Sequence, residues 1–149
     1  ALAADNGVVD EGVSCAPRPV TLQQAINMTR RRTGMSAMAA AFGDDVAVVD
    51  VGIAADVPDV DILDRKIRRG TGNIAVEDAM TRPEALAAMA AGMEQAARAS
   101  ADRITALGIG EMGIGNTSTS AAVLSALTGA DIEAVTGRGG GLTDAGFAR

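Results

Sequence analysis

Residues 106–122, ALGIGEMGIGNTSTSAA, gather backbone and side-chain groups suited to holding an anion. Gly113-Ile114-Gly115-Asn116-Thr117-Ser118 places glycines, an amide and hydroxyls just ahead of a small-residue helical run. The N–H groups of such a turn, its hydroxyls and the positive end of the following helix would suit a monophosphate. An ordinary turn with a helix cap reads the same residues equally well. Glu111, in the same glycine-rich turn, is either a solvated loop carboxylate or a group that faces developing positive charge or orients a sugar hydroxyl. The stretch also contains Gly108-x-Gly110-x-x-Gly113, the spacing of a dinucleotide-binding loop. In such a loop the pyrophosphate meets a helix that begins beside the second glycine. Here Glu111 would set a carboxylate against it, and the helix is expected only after Gly115, so the context argues against that reading.

Two further stretches carry groups for anion chemistry. In DRKIRRGTGNIA, residues 64–75, Arg65, Lys66, Arg68 and Arg69 precede Gly70-Thr71-Gly72-Asn73. They could hold phosphate or carboxylate, or form a solvated charged face. In TGRGGGLTDAG, residues 136–146, three consecutive glycines invite close backbone approach, and Arg138 offers a planar fork to an anion. A flexible hinge reads that segment as well.

The elements that must position these residues alternate between β-like and helical. Ala1–Ala4 reads as a buried strand delivering Asp5, followed by a loop over 8–19. Thr21-x-x-Gln24 reads as a capping box, with a helix to about Arg32, a bend at Gly34 and a resumption to Phe42. Val46–Val51 is the clearest strand. Residues 52–80 read as a long irregular connection, a kind more often functional than idle. Thr81-Arg82-Pro83-Glu84 is a second capping box, opening a helix that ends near Ser100. Ile104–Ile109 reads as the next strand, Asn116–Leu127 as a helix with Gly129 as its C-cap, and Ile132–Val135 as a further strand. The alternation implies an α/β fold with a parallel sheet, whose ligands bind at the carboxyl ends of the strands. Asp5-Asn6-Gly7, Asp50–Gly52, Gly110–Asn116 and Gly137–Gly141 should therefore gather on one edge.

Composition narrows the function classes. The 149 residues suffice for one domain with a core, 48% are apolar, and aromatics are 1%, only Phe42 and Phe147. Without aromatic stacking platforms and with a net charge of −6, nucleic acid is not an expected partner. Histidine is absent, which removes imidazole bases, Ser-His triads and the commonest zinc ligand. Cys15 is the only cysteine, so internal disulfides and thiolate metal cages are excluded, and it reads as buried filler. No metal and no cofactor is expected. No apolar run spans a membrane and no leader is evident, so a cytoplasmic setting is expected. The sequence starts without Met and stops at Arg149 in what reads as a helix's opening turn, as a piece of a longer protein would.

Together the runs ADNGVVDEGVS, PVTLQQ, VVDVGI, KIRRGTGNIA, AMTRPEAL, LGIGEMGIGNTSTSAA, ALTG and GRGGGLTDAG resemble, in order and over nearly the whole chain, the nicotinate-nucleotide–dimethylbenzimidazole phosphoribosyltransferase family. KIRRGTGNI followed by GEMGIGNT is the most specific pair. The resemblance implies transfer of the 5-phosphoribosyl group from nicotinate mononucleotide to 5,6-dimethylbenzimidazole, with inversion at the anomeric carbon. The products would be α-ribazole 5′-phosphate and nicotinate, in cobalamin lower-ligand assembly. It implies a homodimer whose large domain holds a Rossmann-like parallel sheet flanked by helices, with residues 1–149 the central part of that domain. It places the phosphate near Gly113, Ile114, Gly115, Asn116 and Thr117 and near the later run Gly137, Arg138 and Gly139. It puts Ser14 and Gln23 near the benzimidazole pocket. The transition state of such a transfer should have oxocarbenium character, which a catalytic carboxylate such as Glu111 could favour electrostatically.

The departures from the family pattern are specific. Asp5-Asn6-Gly7 stands where the family often has Asp-His-Gly. Gly137-Arg138-Gly139-Gly140-Gly141 stands where it has GRGTG, so a threonine hydroxyl is missing. The family's N-terminal region, its C-terminal general-base glutamate and a site lysine are not within these 149 residues. The residues admit three readings: a phosphoribosyltransferase core, a binding module without turnover and a dinucleotide-dependent oxidoreductase. Turnover by the isolated chain would separate the first from the second.

Overall fold

In the computed structural model, residues 1–58 and 61–148 are described. A four-stranded, wholly parallel sheet has the order β3-β2-β1-β4. Its strands are β1 (Leu2–Ala4), β2 (Val48–Gly52), β3 (Ile62–Asp64) and β4 (Glu111–Met112). The helices are α1 (Val20–Thr29), α2 (Gly34–Phe42), α3 (Arg82–Ala101), α4 (Asn116–Thr128) and the short α5 (Ile132–Val135) and α6 (Asp144–Phe147). The helical turn read at the chain's end corresponds to α6, and Arg149 lies outside the described residues.

Buried parallel strands need apolar residues on both faces, and consecutive Val48 and Val49 in β2 meet that need. Ala3, Ala25, Met28, Val48 and Ile53 form the core between the sheet and α1, which packs against every strand. Small side chains on β1 let α1 come close, and no aromatic residue takes part. α3 opens at the expected capping box: Thr81 Oγ1 accepts from the Glu84 N–H and the Glu84 carboxylate accepts from the Thr81 N–H. That backbone hydrogen bond is the main reason the Glu84 carboxyl lies below the ordinary carboxylate range. Gly129 ends α4 in the left-handed conformation, as expected.

Several expectations are corrected. Ile104–Ile109 is not a strand; pairing is confined to Glu111 and Met112. Leu2 stands opposite Glu111 and Ala3 opposite Met112, and among the described residues 104–109 pair with no strand. Ile109 is 95% exposed. Ile132–Val135 is helical because the Asp131 carboxylate accepts the Glu133 N–H and turns the chain. The 52–80 connection contains edge strand β3, too short to show as a periodic run. Thr21 is not a cap: Pro19 precedes α1 in helical geometry, and the carbonyls of Pro17 and Arg18 take the first N–H groups. The capping box of that region lies instead at Thr33 and Ser36, where α2 begins.

The four basic residues of 64–75 pair with carboxylates. Arg65 forks onto Glu94 at 2.6 and 2.7 Å, Lys66 meets Asp50 at 3.1 Å, Arg68 lies 3.6 Å from Glu84, and Arg69 pairs with Asp56. Hydrogen bonds from these guanidinium groups hold the Glu94 and Asp56 carboxyls below their ordinary range. The run fastens a loop onto the sheet's carboxyl edge. Gly70 N–H donates to the Gly52 carbonyl, Thr71 N–H to the Asp5 carbonyl, and Gly7 N–H to Thr71 Oγ1.

Candidate functional site

The carboxyl end of β4 borders a cleft of about 160 Å³. It is lined by residues 13–16 from the loop after β1, residues 112–117 from β4 and the start of α4, and Gly139, Gly140 and Leu142. The volume is about half the lower end of the usual range for a small-molecule pocket, room for a phosphate or a ring rather than a whole nucleotide.

The turn 113–116 packs closely against the end of β1. A Cβ on Gly113 would lie 2.2 Å from the Ala4 carbonyl oxygen, so only glycine lets β4 leave the sheet against β1. The glycine therefore serves backbone packing against the sheet; a side chain there would meet β1. Gly113→Ala should lower the stability of the full-length protein by about 1–3 kcal/mol, read as a lower thermal midpoint. An unchanged midpoint would refute the close packing. Asn116 N–H donates to the Gly113 carbonyl, and the Ser118 and Thr119 N–H groups return to the Gly115 carbonyl. Among the described residues, the N–H groups of Gly115 and Thr117 donate to no protein acceptor. Such groups at the start of a thirteen-residue helix are donors available to an anion.

The residues singled out in the sequence are distributed as follows. Ser14, Gly113, Ile114, Gly115, Asn116, Thr117 and Gly139 line the cleft together. A Cβ on Gly139 would lie 2.8 Å from Thr117 Oγ1, so the later glycine run abuts the start of α4. Glu111 is exposed beside the cleft, and its Oε1 accepts from Asn116 Nδ2 at 2.6 Å. Gly137 and Arg138 belong to the adjoining loop but do not line the cleft. The Arg138 guanidinium is engaged within that loop, by Asp144 at 2.6 Å, the Leu142 carbonyl at 3.2 Å and the Phe147 ring at 5.0 Å. Gln23 is exposed on α1, outside the lining. Cys15 is corrected: it is exposed, not buried filler, because it lines the cleft opposite Gly140. Asn6 and Thr21, which bond the cradle's backbone, were not among the expected site residues; the only signal was the polar Asp5-Asn6-Gly7 step after β1.

Known proteins add to this geometry. The family model described as a phosphoribosyltransferase matches residues 1–149. The nicotinate-nucleotide–dimethylbenzimidazole phosphoribosyltransferase of Geobacter metallireducens is 46% identical over 148 residues, covering 99% of this chain and 42% of the relative. That of Clostridium perfringens (strain ATCC 13124) is 46% identical, covering 98% and 40%. The crystal structure of CobT from Thermus thermophilus superposes with a TM-score of 0.94 at 46% identity, over 99% of this chain and 44% of that one. This chain belongs to the nicotinate-nucleotide–dimethylbenzimidazole phosphoribosyltransferase family.

The family's Rossmann-like parallel sheet with flanking helices is the fold observed. The chain spans about two-fifths of the length of the curated relatives it matches. The dinucleotide reading is set aside. A dinucleotide loop follows its strand, whereas β4 lies inside the Gly108–Gly113 spacing and the helix begins only at Asn116. Among the described residues, no helix is long and apolar enough to cross a membrane, and no grouping of His, Cys, Asp or Glu could hold a metal ion.

Proposed function

We propose that residues 1–149 are the central, nucleotide-binding part of an enzyme that transfers the 5-phosphoribosyl group from nicotinate mononucleotide to 5,6-dimethylbenzimidazole. The products are α-ribazole 5′-phosphate and nicotinate, in cobalamin nucleotide-loop assembly. The observation that carries this reading is the convergence of Ser14, Gly113–Thr117 and Gly139 on one cleft, in a chain 46% identical to the Geobacter metallireducens relative over 148 residues.

In this reading the cradle of Gly115 and Thr117 N–H groups takes the 5′-phosphate, and Ser14 and Gln23 serve the benzimidazole pocket. The bond from the anomeric carbon to the pyridinium nitrogen breaks as the bond to the azole nitrogen forms. Nicotinate leaves with the electron pair, and its cationic ring needs no acid. Glu111 stabilises the positive charge developing on the ribosyl ring. The azole N–H proton passes to a general base outside these residues. A cytoplasmic homodimer is the proposed state of the full-length enzyme. Apolar side chains exposed on α2 (Met35, Met38, Phe42) support further packing around this unit.

A second reading is a nucleotide-binding fragment without turnover, which turnover by residues 1–149 alone would oppose. Cys15 tests occupancy of the cleft. Nicotinate mononucleotide should slow alkylation of Cys15 in the full-length enzyme by tenfold or more at saturation, read by peptide mass spectrometry, whereas nicotinate alone should not. Equal alkylation rates with and without nicotinate mononucleotide would move the nucleotide out of this cleft.

A further inference from the structure

The geometry points to Asn6 and Thr21 as a clamp that presets the phosphate cradle by holding both sides of Ile114. The inference rests on the reading of the cleft as the phosphate site. Ile114 lies between two glycines, where backbone freedom is greatest. Its N–H donates to Thr21 Oγ1 at 3.0 Å, and its carbonyl accepts from Asn6 Nδ2 at 3.0 Å. The two side chains reach it from different directions, one from inside α1 and one from the carboxyl end of β1.

Each partner is itself fixed. Thr21 is fully buried in the sheet-facing side of α1. Asn6 Oδ1 accepts a longer hydrogen bond, 3.4 Å, from Thr119 Oγ1 in the first turn of α4. Asn6 also occupies the hollow left by the two glycines. A Cβ on Gly113 would lie 2.8 Å from its Nδ2, and a Cβ on Gly115 3.5 Å from its Cβ. The turn, the β1 tip and the start of α4 thus form one packed unit.

Neither Asn6 nor Thr21 lines the cleft, so both are positioning residues. Their effect falls on Gly115 and Thr117, whose N–H groups keep no acceptor among the described residues. Donors held in place before the ligand arrives do not have to be ordered when it binds. The clamp should therefore show as affinity for the phosphate group rather than for the base.

The test uses the full-length enzyme. Thr21→Val keeps the side-chain shape but removes the acceptor, whereas Thr21→Ser keeps it. Thr21→Val should raise KM for nicotinate mononucleotide about three- to tenfold, the size of one lost hydrogen bond. It should weaken inhibition by inorganic phosphate by the same factor, with kcat and the KM for dimethylbenzimidazole within twofold of wild type. Thr21→Ser should restore both the KM for nicotinate mononucleotide and the phosphate inhibition. Asn6→Asp, which turns a carboxylate on the Ile114 carbonyl, should reproduce the Thr21→Val pattern and serves if the buried substitution prevents folding. Unchanged KM and phosphate inhibition in both variants would overturn the clamp, as would an equal loss for dimethylbenzimidazole. Wild-type enzyme that neither uses nicotinate mononucleotide nor is inhibited by phosphate would overturn the reading of the cleft, and the clamp with it.

Discussion

Asp50→Ala should destabilise the full-length protein by about 3–5 kcal/mol, the usual effect of removing one partner of a buried ion pair. Asp50 sits in β2 at 2% exposure. Its Oδ1 accepts from the Gly52 and Ile53 N–H groups at 3.0 and 2.8 Å, and its Oδ2 meets Lys66 Nζ at 3.1 Å. Lys66 completes its donors on the Ile53 and Ala55 carbonyls at 2.6 and 2.9 Å. Alanine would strand the ammonium charge and leave two buried N–H groups unpaired. The loop carrying Thr71 would loosen with it, and that loop holds Asp5 and Gly7 beside the cradle. Denaturant unfolding of Asp50→Ala and Asp50→Ala/Lys66→Met makes the comparison. The double variant should recover part of the loss, because it removes the stranded charge. Wild-type stability in the single variant would contradict the pairing.

Glu111→Gln should lower kcat about 10²- to 10³-fold, the range seen when one electrostatic stabiliser of a transition state is removed. Glutamine keeps an oxygen for Asn116 Nδ2, which the carboxylate binds at 2.6 Å, so the start of α4 should hold its shape. In the proposed mechanism, what is lost is the negative charge near the ribosyl ring as it becomes cationic. The KM for nicotinate mononucleotide should stay within about threefold of wild type, because the charge is required in the transition state rather than on binding. Steady-state kinetics of the full-length variant separate the two parameters. A raised KM with unchanged kcat would make Glu111 a binding residue and remove it from the chemistry.

How much of this was legible in the sequence depends on the range of the interactions. The turn at 113–115 and the helix after it could be read locally, because glycines and a small-residue run determine a turn and a helix start within a few residues, although Gly115 opens α4 without a side-chain cap from Asn116, Thr117 or Ser118. The Thr81–Glu84 box and strand β2 were legible for the same reason. Residues 104–109 have a strand's apolar character, yet a strand exists only where a neighbour pairs with it, and pairing partners are not legible in a local run. Thr21 has the type and spacing of a cap, but the geometry of Pro17–Pro19 starts α1 earlier and turns the hydroxyl to Ile114. The Asn6–Ile114 and Thr21–Ile114 contacts join residues 108 and 93 positions apart, beyond any local pattern. Residue type speaks to average burial and says nothing about a cleft assembled from three separate segments, which is why Cys15 is exposed there rather than buried filler.

The most direct test is nicotinate release by the full-length enzyme from nicotinate mononucleotide, with and without 5,6-dimethylbenzimidazole. Release that requires the base, with α-ribazole 5′-phosphate formed in equal amount, is the expected result. No base-dependent release, from a folded enzyme at saturating nicotinate mononucleotide, would contradict the assignment of phosphoribosyl transfer to this fold.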